Sequence, residues 1–494
     1  MLMKKALLIA LTLGLVVALA TPALAVSWVA KGAIAIKGAY YKNIDLRAPI
    51  SIQNTAIGGL WGQGIPGNWP NAVVPGLLGL SGGAGSLDPA WNRQSAWVQM
   101  RTVLVVTALA SRNLYGTLIF EIDSQRWGTG EGSAIGAPDT GAWNADAVAV
   151  EVKGAFINFK VPQIPVTLRV GVQPFLKRSH IFMLLDAAGV DANIAFDISP
   201  LKIVINPFWA RILEGLDHTQ ADDQDFYGVD VTVSGGGIAG GIIYAYQARR
   251  QFYDGVAPFL EGDSMMWWIG PHLDVNIGGF AGQADLIWSL GDEDDQSPAN
   301  ADISHSGWIL RGELSYTMNK FRFGVGGLYG SGDDPTTLLD DEGYRVPVNS
   351  ECAAHNDDFL VLMGDWGLNQ PYGVNNVGGL FKPRSDVGAG VWYVRAFADY
   401  QLLSWLKVMG NVGYIGDTVD NGDRFNMAGV SGDLDDDDGI GWEFDVGVAI
   451  NIYKELSLNS AFGYLIGGKA LVGMVNGDRA QDPWMWATTL TYTF

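Results

Sequence analysis

The stretch Trp484-Met-Trp-Ala-Thr-Thr-Leu-Thr-Tyr-Thr-Phe494 sorts its aromatic residues and its leucine onto alternate positions. Trp484, Trp486, Leu490, Tyr492 and Phe494 fall on one face, interrupted only by Thr488, while Ala487, Thr489, Thr491 and Thr493 fall on the other. Side chains of a β-strand alternate between faces, so this period of two marks a strand. Its aromatics lie near both ends of the apolar face. A strand crossing a bilayer needs this arrangement over about 9–11 residues, apolar toward lipid and girdled by aromatics at both interfaces.

The same alternation recurs along the chain. Leu114, Gly116, Leu118, Phe120 and Ile122 alternate with Tyr115, Thr117, Ile119, Glu121 and Asp123. Val166, Leu168, Val170 and Val172 alternate with Thr167, Arg169, Gly171 and Gln173. Trp442, Phe444, Val446, Val448 and Ile450 alternate with residues that include Glu443 and Asp445. A soluble sandwich would show similar strands, so the connections have to discriminate. Short links such as Ser111-Arg112, Ser199-Pro200, Gly235-Gly236 and Met318-Asn319 alternate without a break with the long links 42–94, 126–145, 175–190, 213–224, 248–265, 291–305, 331–388, 417–439 and 467–483. Outer-membrane barrels show this rhythm, with short periplasmic turns and long external loops. The expected fold is an all-β, transmembrane antiparallel β-barrel of 18 strands. If the short strand at 191–198 and a neighbour belonged to an infolded loop, the count would be 16. Barrels of this size enclose an aqueous channel.

Composition agrees. Of 494 residues, 48% are hydrophobic and 65 are glycine. Glycine is costly inside helices, by about 1 kcal/mol per site. The single cysteine, Cys352, excludes a disulfide framework or multi-cysteine metal site. The formal charge of −21 argues against nucleic acid as a partner. Most of this acidity lies in the connections 291–305, 331–388 and 417–439, which places it at the external mouth. Lys4-Lys5, the uncharged run Ala6–Ala20 and Ala23-Leu24-Ala25 read as a secretory signal peptide over 1–25, with one barrel domain over 26–494. The expected location is the outer membrane of a Gram-negative cell.

Three segments carry a family likeness. Leu118-Ile-Phe-Glu-Ile-Asp123 with Trp127-Gly128, Ile157-Asn-Phe-Lys-Val-Pro162 and Leu168-Arg-Val-Gly-Val-Gln173 resemble strands of the homotrimeric outer-membrane porins of sulfate-reducing and related anaerobic bacteria. The likeness is clearest over 95–235 and in the C-terminal strand. It implies a trimeric, passive diffusion channel for small hydrophilic solutes and ions. The aromatic end at Tyr492 and Phe494 likewise resembles the signal read by the barrel-assembly machinery.

Such a channel needs no catalytic residues. Its selectivity would come from pore width and the charges at a constriction. The third external link, 175–190, is unusually apolar for a surface loop and is expected to fold inward, carrying Lys177, Arg178, His180 and Asp186. Strand positions facing inward supply Arg101, Arg169, Arg311, Arg322 and Arg395 against Glu121, Asp123, Asp285, Glu313, Glu443 and Asp445. Opposed acids and bases would set a transverse field favouring small polar solutes. These charges could equally pair among themselves and pin the loop. Asp433, Asp435 and Asp437 sit in a dense acidic run of one external link. Ca²⁺ or Mg²⁺, bridging to lipopolysaccharide and other outer-membrane lipid, is one reading of that run, and a solvated loop is the other. The EF-hand pattern fails, because the twelfth position from Asp433 is Phe444. The five histidines show no metal spacing, and no other cofactor is implied. Two further readings stay open: a substrate-specific channel for organic acids or anions, and an adhesive or structural surface barrel.

Overall fold

Period-two segments with one apolar and one mixed face pair edge to edge, and closing the sheet removes the exposed edges. The computed structural model shows this closure. It describes residues 26–42, 94–126, 150–178, 181–213, 223–253, 261–294, 302–333, 337, 339–347, 358–361, 390–418, 439–468 and 482–494. The signal-peptide segment, Cys352 and the Asp433–Asp437 run lie outside the described residues.

In chain order the barrel strands are β1 (Ser27–Lys42), β2 (Gln94–Ser111), β3 (Leu114–Arg126), β4 (Glu151–Lys160), β5 (Val166–Lys177), β6 (Met183–Ile198), β7 (Leu201–Leu213), β8 (Gln224–Gly235) and β9 (Ile238–Tyr253). They continue as β10 (Glu261–Ile277), β11 (Phe280–Glu293), β12 (Ile303–Met318), β13 (Phe321–Gly330), β14 (Val391–Leu403), β15 (Leu406–Asp417), β16 (Gly439–Asn451), β17 (Leu456–Gly467) and β18 (Trp484–Thr493). Each pairs antiparallel with its sequence neighbours. β1 closes the ring on β18, with Ala33 opposite Thr493 and Lys42 opposite Trp484. The count is therefore 18. A two-residue piece, Asp340–Asp341, adds a short parallel pairing to Ser304 and His305 on β12.

Short turns gather at one end. Gly236-Gly237 and Gly278-Gly279 have positive φ values of 60°, 88°, 58° and 91°. Two-residue hairpins of matching twist need this left-handed backbone at both positions, which glycine adopts freely. The strand ends that the long links join lie at the other end, as the rhythm predicts.

The outer surface is apolar. Val325, Val394 and Val446 are more than half exposed, and Leu118, Val170, Ile242 and Leu314 are exposed beside them. Aromatics form two belts on this surface. Trp308 and Tyr329 (4.8 Å), Tyr246 and Trp267 (5.4 Å), and Tyr414 and Trp442 (5.2 Å) lie toward the long-link end. Phe280 and Tyr316 (4.5 Å), and Tyr492 and Phe494 (5.7 Å), lie toward the short-turn end. Two aromatic girdles around an apolar band are the signature of a barrel seated in lipid.

One expectation needs correction. The 175–190 link is mostly strand: β5 runs to Lys177 and β6 begins at Met183. The apolar run Met183–Val190 alternates buried Met183, Leu185 and Ala187 with less buried neighbours, so it pairs in register with β5. The run 191–198, expected as a short strand of its own, is half of a 16-residue one.

Candidate lumen constriction

Large apolar side chains cannot face an aqueous lumen without cost, so where they point inward they must pack on one another. Phe175 at the end of β5, and Ile181, Phe182 and Met183 at its junction with β6, are fully buried. Phe182 lies 6.3 Å from Phe226 on β8 and 6.0 Å from Trp268 on β10. Phe208 on β7 joins Phe175 (6.3 Å) and Phe226 (5.7 Å). Each such side chain contributes about 1.5–3 kcal/mol on burial. The β5–β6 tip is thus folded into the barrel over β7–β10. Its turn is held by the amides of Ile181 and Phe182, both donating to the Arg178 carbonyl at 3.0 Å. Arg178 then reaches the facing wall. It donates to Asp274 on β10 at 2.9 Å and pairs with Asp285 on β11. Burial works against the Arg178 charge, but these two carboxylates outweigh it and raise its pKa above the ordinary arginine value.

A second infolded segment comes from the 331–388 link. Tyr344 and Val346 are buried. The Trp268 indole N–H donates to the Arg345 carbonyl at 2.7 Å, and the Arg345 amide donates to Ser289 Oγ at 3.1 Å. Arg345 also pairs with Asp341. Asp341 lies 3.3 Å from His305 Nδ1, and His305 Nε2 lies 3.4 Å from Glu293. Burial raises the pKa of Asp341, but contact with His305 and the Arg345 guanidinium outweigh it and bring it down to about 2.

Farther along the link, Asp358–Val361 dock against β12 and β14–β17. The Asp358 carboxylate meets Arg311 of β12 (3.3 Å), Arg395 of β14 (2.6 Å) and the Tyr393 hydroxyl, which donates to it. Asn411 Nδ2 donates to the Asp358 carbonyl at 2.7 Å, and the Val361 amide donates to Glu443 at 2.5 Å. Phe359 stands edge-on to Tyr393 at 5.2 Å. It fits because β15 carries Gly413 there, where an added Cβ would come within 2.4 Å of its ring.

Beside this segment the wall is a lattice of ion pairs. Glu313 accepts from Arg322 (3.0 Å) and Arg395 (2.6 Å), and Arg322 also reaches Asp399 (3.4 Å). Both guanidinium groups lie over the Phe397 ring, at 4.8 and 4.7 Å. A cavity of about 750 Å³ opens onto Arg311, Arg322, Arg395, Asp358, Asp399 and Asp274. The lumen is therefore narrowed by two infolded segments carrying charges of both signs.

Among the residues singled out from sequence, Arg311, Arg322, Arg395 and Glu313 come together here, and Arg178 lies across from Asp285. Others sit elsewhere. Arg101 forms a two-pronged pair with Glu121 (2.7 and 2.9 Å). Lys177 pairs with Asp191 (3.6 Å) over the Phe208 ring (5.1 Å). Arg169 lies over the Phe156 ring at 5.3 Å. Asp186 pairs with Lys153 (3.5 Å). His180 and the side chain of Asp123 lie outside the described residues. Sequence reading missed Asp274, Asp399, Asp358, Tyr393 and Tyr344. Alternation could have found three of them: Asp274 shares the inward face with His272, and Asp399 and Tyr393 share that of Arg395. Asp358 and Tyr344 sit in a link with no periodicity to reveal them. Asp358, with Asp341, also corrects the expectation that the acidity of 331–388 belongs to the external mouth.

The chain matches no protein-family model and no curated protein. Solved structures similar to it include Pseudomonas aeruginosa OpdL, at 12% identity over 94% of this chain and 98% of that one, with a TM-score of 0.49. Pseudomonas aeruginosa OpdQ is similar at 12% identity over 94% and 98%, with a TM-score of 0.47. A BenF-like porin from Pseudomonas fluorescens Pf-5 is similar at 10% identity over 94% and 99%, with a TM-score of 0.45. Likeness at this level says nothing about a solute.

Proposed function

We propose that this chain is an outer-membrane porin, a passive water-filled channel for small hydrophilic solutes and ions. One observation carries the reading: a closed 18-strand barrel with an apolar, aromatic-girdled exterior holds a charged constriction built from its own infolded segments. An exterior of that kind suits lipid, and a lumen lined by ion pairs suits water. Selectivity then depends on the width of the cavity and the balance of its charges. Planar-bilayer recording of purified protein tests this. Stepwise conductance is expected, and its absence would overturn the reading.

The arginine-rich wall of the cavity favours one narrower version, a channel selective for anions or organic acids. Arg311, Arg322 and Arg395 stand on adjoining strands around one opening. Each is already matched by a carboxylate, so an anion would have to compete for it. Reversal potentials in a salt gradient separate the general from the selective version.

The homotrimer implied by the resemblance to porins of sulfate-reducing bacteria belongs to the same proposal, as does recognition of Tyr492 and Phe494 by the barrel-assembly machinery. Cross-linking of the protein in membranes reads the first. Assembly of a Phe494→Ala variant reads the second. A Ca²⁺ or Mg²⁺ bridge from Asp433, Asp435 and Asp437 to lipopolysaccharide is tested by calcium titration of the protein with and without those carboxylates.

A further inference from the structure

The Arg311–Arg395–Tyr393 group has the composition of an oxyanion receptor. Two guanidinium groups and a phenol hydroxyl converge from β12 and β14 on one point. Arg311 and Tyr393 are buried, and the Arg395 side chain is 9% exposed. Groups this buried are set in place before any ligand arrives. Planar guanidinium forks suit carboxylates in particular, because both oxygens can be met at once. The occupant at that point is a carboxylate, but it does not come from the barrel wall. Asp358 belongs to the infolded link, 47 residues along the chain from Arg311.

Asp358 does not exhaust the donors around it. The Nε groups of Arg311 and Arg395 are both buried and, among the described residues, both without a hydrogen-bond partner. Buried N–H groups are nearly always satisfied, so two together mark a site with more donor capacity than its present occupant uses. The 750 Å³ cavity touches Arg311, Arg395 and Asp358 alike, so the receptor opens to the solute path.

From this geometry we infer that Arg311, Arg395 and Tyr393 form a carboxylate receptor held occupied in cis by Asp358, and that this occupancy limits anion passage. The inference rests on the channel reading above and deepens it. Asp358 acts as a tethered competitor. A solute carboxylate in the cavity meets arginines already neutralised; removing the Asp358 charge leaves Arg311 without its carboxylate and Arg395 with Glu313 alone, so that the pair can take a small carboxylate in its place. The backbone contacts of the segment, Asn411 to the Asp358 carbonyl and the Val361 amide to Glu443, do not depend on the Asp358 side chain. They would still hold the segment in the lumen.

The test uses the full-length protein with Asp358→Ala and the isosteric Asp358→Asn, and formate as the probe. In a potassium chloride gradient, the chloride-to-potassium permeability ratio should rise about threefold or more in both variants, since a charged lining group is lost from a narrow pore. Sodium formate, compared with sodium chloride at equal ionic strength, should raise the unfolding midpoint of Asp358→Ala in a saturable manner and leave the wild type unchanged. It should also reduce chloride current through the variant. Asp358→Asn keeps the shape of the side chain and carries the electrical test if Asp358→Ala does not fold. Unchanged reversal potentials in the variants would overturn the inference, as would formate stabilising wild type and variant equally. Failure of the channel reading looks different: the wild type would give no conductance steps, while formate would still select the emptied receptor in the thermal assay.

Discussion

The hydroxyl of Tyr344 donates to the backbone carbonyl of Ile181 at 2.8 Å, across 163 residues of sequence. Both residues are fully buried. This bond joins the β5–β6 tip to the infolded part of the 331–388 link, so the two halves of the constriction brace each other. Neither segment is held only by the wall behind it.

Tyr344→Phe removes that donor and leaves a buried carbonyl without its partner, at a cost of about 1–3 kcal/mol. A lower unfolding midpoint in denaturant is expected. Open-channel current noise should rise, because the tip loses its brace. Quiet, wild-type current at wild-type stability would show that the bond contributes nothing.

Arg178→Ala and Arg169→Ala should separate charge from structure. Arg178 is the counter-charge of buried Asp285 and of half-exposed Asp274, so its loss strands the Asp285 carboxylate. Breaking a buried pair from one side costs about 3–5 kcal/mol, and the surplus negative charge should shift the reversal potential toward cations. Arg169 makes no ion pair among the described residues and lies over the Phe156 ring. Its loss should shift selectivity the same way while costing no more than about 1 kcal/mol. Reversal potentials and denaturation midpoints measured on both variants check the contrast.

Gly32→Ala tests the seam of the barrel. The amide of Gly32 donates to Phe494 O at 2.9 Å and the Phe494 amide donates back to Gly32 O at 3.0 Å. A Cβ on Gly32 would fall 2.6 Å from both the Phe494 ring and the Val103 carbonyl oxygen. The strands must shift to admit it, at about 1–3 kcal/mol. The temperature at which the folded band converts to the unfolded one in a gel-shift assay should fall.

Asp341 sets an acid limit on the second infolded segment. Its pKa lies at about 2, below the ordinary 3.8, because contacts to His305 and Arg345 outweigh its burial. A carboxyl depressed by folding contributes stability that is fully present above its unfolded value and is lost as pH falls through the folded one. The contribution should be complete above about pH 5 and vanish toward about pH 2. Asp341→Asn should flatten that part of the stability profile, measured as unfolding midpoint against pH.

Much of the barrel is legible in the sequence alone. The alternation at Leu114–Asp123 and Trp484–Phe494 and the rhythm of short and long links specify a large even-stranded barrel of 18 or 16 strands, because each depends only on neighbours along the chain; the pairing of the full-length β6 settles 18. The face of a strand residue follows from the same parity, which is why Arg311, Glu313, Arg322 and Arg395 could be placed on the lumen side by counting.

What the local pattern could not supply is which charges meet, and with what. Asp358 and Tyr344 come from a link with no period, and the 175–190 segment was read as loop although its pairing with β5 makes it strand. Their positions depend on contacts between residues far apart in sequence, such as Tyr344 with Ile181 and Arg178 with Asp274. A barrel interior brings such residues within reach only after the sheet has closed. The sequence by itself therefore determined the barrel, its lipid face and its inward charges. The tertiary structure alone decided the constriction, because burial and ion pairing there are set by which links fold back into the lumen.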